Sequence, residues 1–209
     1  MENQTNKTNE SFQFDLNLDP HDHFQRLFKE AEDQKVLEHN AMTLATVGAD
    51  GRPSARIVYF KGMVRGGFSF YTSYEGKKAK DLDHQPWVCV NFFWPELHQQ
   101  IRITGAVTRL THDENENYFK TRPRESQLGA WASHQSAELQ NYEAFQNQVK
   151  QVTEKFAEVA TVPCPPQWGG YRIEATEFEF WFGRSGRYHE RYIYQKTNSG
   201  KWRTFMRNP

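Results

Sequence analysis

The chain has 209 residues, enough for one domain with a full core, and its 15% aromatic content (16 Phe, 9 Tyr, 6 Trp) is too high for a disordered chain. The formal net charge is +0, so no global basic field recruits nucleic acid or an anionic membrane, and anion binding must come from local placement of Arg and Lys. Cys89 and Cys164 are far apart with no CxxC, no apolar run reaches transmembrane length, and the polar start MENQTNKTNE lacks a signal-peptide core; a zinc site, a disulfide scaffold and a membrane span are disfavoured, and a cytoplasmic setting is expected.

Residues 1–18 are polar and Asn-rich and read as a mobile tail, leaving 19–209 as a single domain. Asp19-Pro20 is a helix start, an N-cap acceptor followed by proline in the first turn, and Phe24, Leu27, Phe28 and Ala31 continue at helical spacing. From residue 41 the pattern changes to short β-runs. AMTLATVG meets the hairpin signal Asp50-Gly51, SARIVYFKG follows, and a Gly66-Gly67 turn leads into FSFYTS. Lys77 to His84 reads as one short helix. PWVCVNFFW, with Cys89 as a small core residue, and QQIRITGAVTRLT are the next strands. Residues 113–121 and 138–158 read as helices, the second charged and amphipathic. WGGYRIEATEFEFWFG and RYIYQK close the sheet, with Asn198-Ser199-Gly200 as a turn. Evenly spaced strands joined by hairpin signals, without βαβ alternation or an internal repeat, predict a mainly β chain with flanking helices (α+β), an antiparallel barrel or sandwich rather than a Rossmann sheet.

Several constellations are missing. There is no GxGxxG after a strand and no GxxxxGK[ST]. Gly183-Arg184-Ser185-Gly186 falls short of a GxSxG elbow, because its second glycine comes one residue early. His21 and His23 lie two apart in a polar segment without further ligands, so no metal site is expected.

The stretch YFKTRPRESQLGAWASHQS, residues 118–136, carries the strongest chemistry. Tyr118, Arg122, Arg124 and Ser126 surround Pro123, which pushes the preceding residue out of helical geometry and favours the first turn of a new helix. A guanidinium, a phenol and a hydroxyl at a helix start are the means of gripping a phosphate monoester. Gln135-Ser136 closes the stretch as a second polar pair. In SARIVYFK, Arg56, Val58 and Phe60 share one strand face and Ile57, Tyr59 and Lys61 the other, so Arg56 and Lys61 are expected on opposite sides unless a bulge intervenes. Tyr71-Thr72 ends a strand, and Lys77-Lys78 opens a helix. Lysines there oppose the helix dipole, which makes sense if they help hold a phosphate; a solvated basic turn is the plain alternative. In Arg187-Tyr188-His189-Glu190-Arg191, an extended backbone would align Arg187, His189 and Arg191 on one face, with Glu190 pointing away.

Together RIVYFK, FYTSYEGKKAKDL, QQIRITG, YFKTRPRESQLGAWASHQS, PPQWGGYRI, EFW and RYHERYIY resemble the pyridoxamine 5'-phosphate oxidase family, in order and at family-like spacing from about Asp19 to Gln195. The resemblance implies an FMN-binding split β-barrel, an antiparallel Greek-key barrel, that oxidises pyridoxamine 5'-phosphate or pyridoxine 5'-phosphate to pyridoxal 5'-phosphate, with O₂ as acceptor and H₂O₂ as product. It implies a homodimer in which two subunits build each FMN site. Matching the family's FMN contacts are Arg56, Ile57, Val58, Tyr59, Phe60, Lys61, Tyr71, Thr72, Lys77, Lys78, Gln100, Gln135, Ser136, Trp181 and Arg191. Lys61, Tyr118, Arg122 and Ser126 match its grip on the substrate phosphate; Arg187 and His189, with Tyr188 between them, match residues over the substrate ring and are the catalytic candidates. Arg124 matches no ligand contact and reads as structural.

Three departures stand out. Lys77 replaces the family's usual Arg and loses its bidentate fork. No basic-aromatic lid segment occurs in MENQTNKTNESFQFDLN, and WRTFMRNP has Met206-Arg207 where Arg-Leu is usual. A flavin- or pyridoxal phosphate-binding protein without turnover, or a split-barrel flavin oxidoreductase with another substrate, remains the alternative.

Overall fold

The computed structural model describes residues 14–209. Helix α1 (Pro20–Asp33) starts as expected, with the Asp19 carboxylate accepting from the His21 N–H at 2.8 Å. Its Phe24, Leu27 and Ala31 are buried, each large apolar side chain contributing about 1.5–3 kcal/mol. The tail expected over 1–18, and the lid-segment reading with it, lies outside the described residues up to residue 13. At residues 14–18 the chain is docked: Phe14 is buried, stacked on Tyr192 at 4.4 Å and on His23 at 3.9 Å.

Among the described residues nine strands form one antiparallel sheet: β1 (Ala41–Val47), β2 (Pro53–Tyr59), β3 (Met63–Val64), β4 (Gly67–Ser73), β5 (Trp87–Trp94), β6 (Gln99–Arg109), β7 (Trp168–Phe182), β8 (Glu190–Lys196) and β9 (Trp202–Met206). Its order is β2-β1-β5-β6-β7-β4-β3, with β8 and β9 branching from β7. The branch comes from the length of β7. Its first part, to Ile173, pairs with β4, and its last part, from Glu177, pairs with β8. Strand β6 runs alongside both parts, with a bulge at Thr104/Gly105. Gly105 is required there, since a Cβ would lie 2.2 Å from the Glu174 carbonyl oxygen.

The path is not a closed cylinder, but its ends are tied. The Phe60 N–H donates to Asn40 on the β1 side, whereas the Lys61 N–H donates to Ser69 of β4 at 2.9 Å. Adjacent residues therefore bond to opposite neighbours. Inside lies an aromatic core: Phe24, Phe60, Phe68, Phe92, Phe178 and Phe180 are all buried. Cys89, expected in the core, is only half-buried, because β5 alternates and turns Trp87, Cys89 and Phe93 outward.

Helices α2 (Lys77–His84), α3 (His112–Thr121), α4 (Arg124–Ala132) and α5 (Tyr142–Lys155) lie on the connections. A Thr111/Glu114 capping box starts α3, and Asn141 caps α5, four residues later than the sequence pattern suggests. Residues 122–123 break the backbone between α3 and α4; Pro123 itself is the cap residue, one position before the predicted first turn. A second apolar cluster, Phe119, Leu128, Phe156, Val162 and Trp168, fixes these helices against β7.

Candidate active site

The break at Pro123 sets the site. It ends α3 with Tyr118 on its last turn, leaves Arg122 extended, and starts α4 so that Ser126 sits on the first turn. These three side chains share a cavity of about 530 Å³ with Lys61, Tyr71, Thr72, Arg56, Lys78 and Gln135. Ile57, Val58 and Tyr59 complete the β2 wall. Arg124 turns away and donates to the carbonyls of Phe156 and Val159 at 2.6 and 3.0 Å, satisfying the end of α5.

The cations differ in how they are held. Arg56 donates to Thr46 Oγ1 at 2.7 Å and Ser54 Oγ at 2.6 Å, and lies 3.8 Å from the buried Asp81 carboxylate. Burial opposes the charge on Asp81, but hydrogen bonds from Thr46, Lys77 and Ser54 outweigh it, and its pKa falls below the usual carboxylate value. Lys78 donates to Gln135 Oε1 at 2.6 Å and Thr72 Oγ1 at 3.1 Å; burial and the nearby Arg56 charge lower its pKa. Arg122 is half-buried, and its buried Nη1 has no hydrogen-bond partner among the described residues. Burial lowers its pKa too, while the phenols of Tyr71 (pushed up to about 12) and Tyr118 are raised by burial and stay protonated donors at neutral pH. Tyr71 stacks on Tyr118 at 3.9 Å and on Trp168 at 5.2 Å.

The strand faces alternate as expected: Val58 and Phe60 are buried, Ile57, Tyr59 and Lys61 are exposed, and the Lys61 Nζ lies 5.3 Å from the Tyr59 ring; Arg56 and Lys61 nevertheless both line the cavity. Phe60 itself points into the core. The Lys77 side chain leaves the cavity: its Nζ lies 3.0 Å from Asp81, one helical turn on, and only its backbone N–H reaches Ser136 Oγ, at 3.3 Å.

The remaining candidates lie apart from this cavity, on the outer face and edge of β6, β7 and β8. Gln100 pairs with Trp181 across β6–β7, and Trp181 with Arg191 across β7–β8. The expected alignment of Arg187, His189 and Arg191 does not occur, because Ser185–Arg187 is a 3-10 turn with Gly186 and Arg187 both at φ 64°. His189 packs against Trp181 at 4.7 Å, and its Nδ1 accepts the Arg184 N–H at 3.1 Å, so the neutral ring carries its proton on Nε2. Arg187 and Tyr188 are exposed. Glu190 joins Arg184 at 2.6 Å and the Tyr192 hydroxyl at 2.6 Å. Arg191 is engaged by Glu179 through two bonds of 3.0 and 3.1 Å, and Glu179 also takes Arg102 at 2.5 Å and Arg207 at 3.1 Å. The unusual Arg207 thus anchors the C-terminal segment.

Sequence reading missed Asp81 and Trp168. The Lys77–Asp81 spacing was a usable signal for the first; Trp168 shows only in three dimensions, where it faces Arg122.

Comparisons with known proteins fit this geometry. The family profile described as pyridoxamine 5'-phosphate oxidase matches residues 28–156, and one described as the pyridoxine 5'-phosphate oxidase C-terminal dimerisation region matches 168–209. A pyridoxine/pyridoxamine 5'-phosphate oxidase of Bdellovibrio bacteriovorus is 50% identical over 94% of this chain and 100% of its own length. One from Leptospira interrogans is 44% identical over 93% and 91%. Among solved structures, PhzG from Burkholderia lata in complex with tetrahydrophenazine-1-carboxylic acid superposes with a TM-score of 0.85 at 32% identity, covering 91% of this chain and 93% of that one. A pyridoxamine 5'-phosphate oxidase-related, FMN-binding protein of Nostoc punctiforme shares the fold, with a TM-score of 0.72 at 18% identity over 92% and 99% of the two chains.

Proposed function

The chain belongs to the pyridoxamine 5'-phosphate oxidase family, and on that premise we propose that it oxidises pyridoxamine 5'-phosphate and pyridoxine 5'-phosphate to pyridoxal 5'-phosphate with FMN as cofactor. The observation that carries this is the Arg122 guanidinium, half-buried in the cavity with a buried Nη1 that lacks a partner, beside the phenol of Tyr118 and the hydroxyl of Ser126. A buried donor without an acceptor is costly, and a substrate phosphate supplies the acceptor. Lys61 adds a second positive charge at the same cavity.

The part of the cavity around Arg56 and Lys78 suits FMN. Arg56 and Lys78 are two cations held ready by Thr46, Ser54, Thr72 and Gln135, and the cavity falls in the range of small-molecule sites. Ser136, close to the start of α2, adds a hydroxyl. When bound, FMN supplies the hydride acceptor and passes the electrons to O₂ as H₂O₂. The protein's own part is orientation. Gripping the phosphate at Arg122, Tyr118, Ser126 and Lys61 anchors the substrate away from its reacting carbon and fixes its approach.

Gln100, Trp181, Arg187, Tyr188, His189 and Arg191 belong to the same reaction but lie outside the cavity of their own chain. We assign them to the cavity of a second copy in a homodimer, a reading supported by the match to a dimerisation region over 168–209. There Arg187 and His189 hold the substrate ring, with the His189 Nε2–H as a donor.

An oxidase for a different aromatic substrate, as the likeness to PhzG suggests, would have no use for four groups aimed at a phosphate. An aerobic assay decides. The purified protein is expected to be yellow and to convert both phosphorylated substrates with O₂ uptake. A protein that takes up no FMN, or one that is yellow and turns over only non-phosphorylated substrates, would contradict the proposal.

A further inference from the structure

Arg122 differs from Arg56 and Arg191 in what holds it. Arg56 has the Asp81 carboxylate at 3.8 Å, and Arg191 has Glu179 at 2.9 Å. Among the described residues no carboxylate forms an ion pair with Arg122. Its guanidinium carbon lies instead 4.6 Å from the centre of the Trp168 ring and 5.4 Å from that of Phe119.

Trp168 is well placed for this. It is 7% exposed, it opens β7 opposite Ser73, and Phe119 packs edge-on against it at 5.0 Å and 68°. Its ring also belongs to a set of nearly parallel faces, with Tyr71 tilted by 12° and Tyr118 by 5°. The wall that carries Arg122 therefore also fixes the plane of the Tyr118 phenol.

The choice of partner matters chemically. A carboxylate would orient the guanidinium, but it would occupy the N–H donors and cancel the charge that an incoming dianion needs. An aromatic face attracts the cation through its quadrupole and leaves the N–H edge open. The partnerless Nη1 is what such an arrangement leaves behind.

Resting on the reading of Arg122 as a phosphate grip, the geometry points to Trp168 as a positioning residue for substrate: its ring face holds the guanidinium by a cation–π contact where a carboxylate would neutralise it. Through Tyr71 the same ring sets the plane of the Tyr118 phenol.

The test replaces Trp168, in the full FMN-loaded protein, by tryptophans carrying one to four ring fluorines, introduced at that position only. Each fluorine weakens the negative face while leaving the shape almost unchanged. The dissociation constant for pyridoxal 5'-phosphate is expected to rise stepwise, to about tenfold for the most fluorinated ring, between the scales of an exposed and a desolvated cation–π contact. Trp168→Phe is expected to fall within the series and Trp168→Leu beyond it, with FMN still bound in each. A flat fluorine series overturns the proposal, and because the shape is kept, a folding failure of Trp168→Leu does not blunt the test. Arg122→Ala, measured in parallel, separates the two readings. Weaker binding in Arg122→Ala with a flat fluorine series removes Trp168 alone; unchanged binding in Arg122→Ala removes the phosphate grip and this inference with it.

Discussion

Among the described residues Arg122 on the cavity wall has no carboxylate partner, whereas Arg102, Arg191 and Arg207 all converge on Glu179 of β7, which is 2% exposed. The same side chain does two kinds of work. At the edge, guanidinium groups are consumed by a buried anion, and the result is rigidity: the C-terminal strand is tied to β7, and Trp181 and His189 are presented on a fixed surface. In the cavity, Lys78 and Arg122 are oriented by a hydroxyl, an amide and aromatic faces, and only Arg56 has a carboxylate nearby, so much of the positive charge remains available to a ligand. The edge is built as a scaffold and the cavity as a receptor.

The sharpest way to break this comparison is at Glu179. Glu179→Ala leaves three arginines around an emptied site, and a loss of about 3–5 kcal/mol of stability is expected in denaturant unfolding, the scale for breaking a buried ion pair. A change below about 1 kcal/mol, the scale of a surface pair, would show that the edge is not held by charge. The cavity should behave in the opposite way. Arg122→Ala is expected to weaken binding of pyridoxine 5'-phosphate by about 1.5–3 kcal/mol, the scale for a hydrogen bond to a charged group, with the unfolding midpoint retained.

Two smaller effects concern pH. The pKa of Asp81 is lower in the folded chain than in the unfolded one, so its contribution to stability is complete above the ordinary carboxylate value and is lost as pH falls through the folded value. Stability at acid pH should therefore depend less on pH in Asp81→Asn than in the parent; parallel acid limbs would remove Asp81 from the network. Lys78 has the opposite sense. Burial favours its neutral form in the ligand-free protein, so FMN affinity should begin to fall with rising pH before an ordinary lysine titrates. Lys78→Met should flatten that alkaline limb, and an unchanged limb would place Lys78 outside the FMN contacts.

Much of the cavity was legible in the sequence because its logic is local. Pro123 dictates a break, and the break alone places Tyr118, Arg122 and Ser126 together. Strand alternation held along β2 and failed after β7. That Arg56 and Lys61 line one cavity from opposite faces of the strand is a tertiary event invisible in the pattern. Arg187, His189 and Arg191 do not align because Gly186 permits a turn that the even spacing conceals. Lys77, expected at the ligand, pairs with Asp81 four residues on, an ordinary helix pairing that the spacing already carried. The branching of the sheet at β7 was not readable either, since 15 continuous strand residues give no sign of where one partner yields to another.

The central claim is that the receptor of one chain is completed by the edge of another, and mixed dimers test it most directly. Arg122→Ala disables the cavity and Arg187→Ala the edge, so each homodimer is expected to be nearly inactive. A randomly mixed population contains heterodimers in which one site has both a wild-type cavity and a wild-type edge, and should recover about a quarter of the parent activity. Activity no greater than that of the two separate variants would contradict a site shared between subunits.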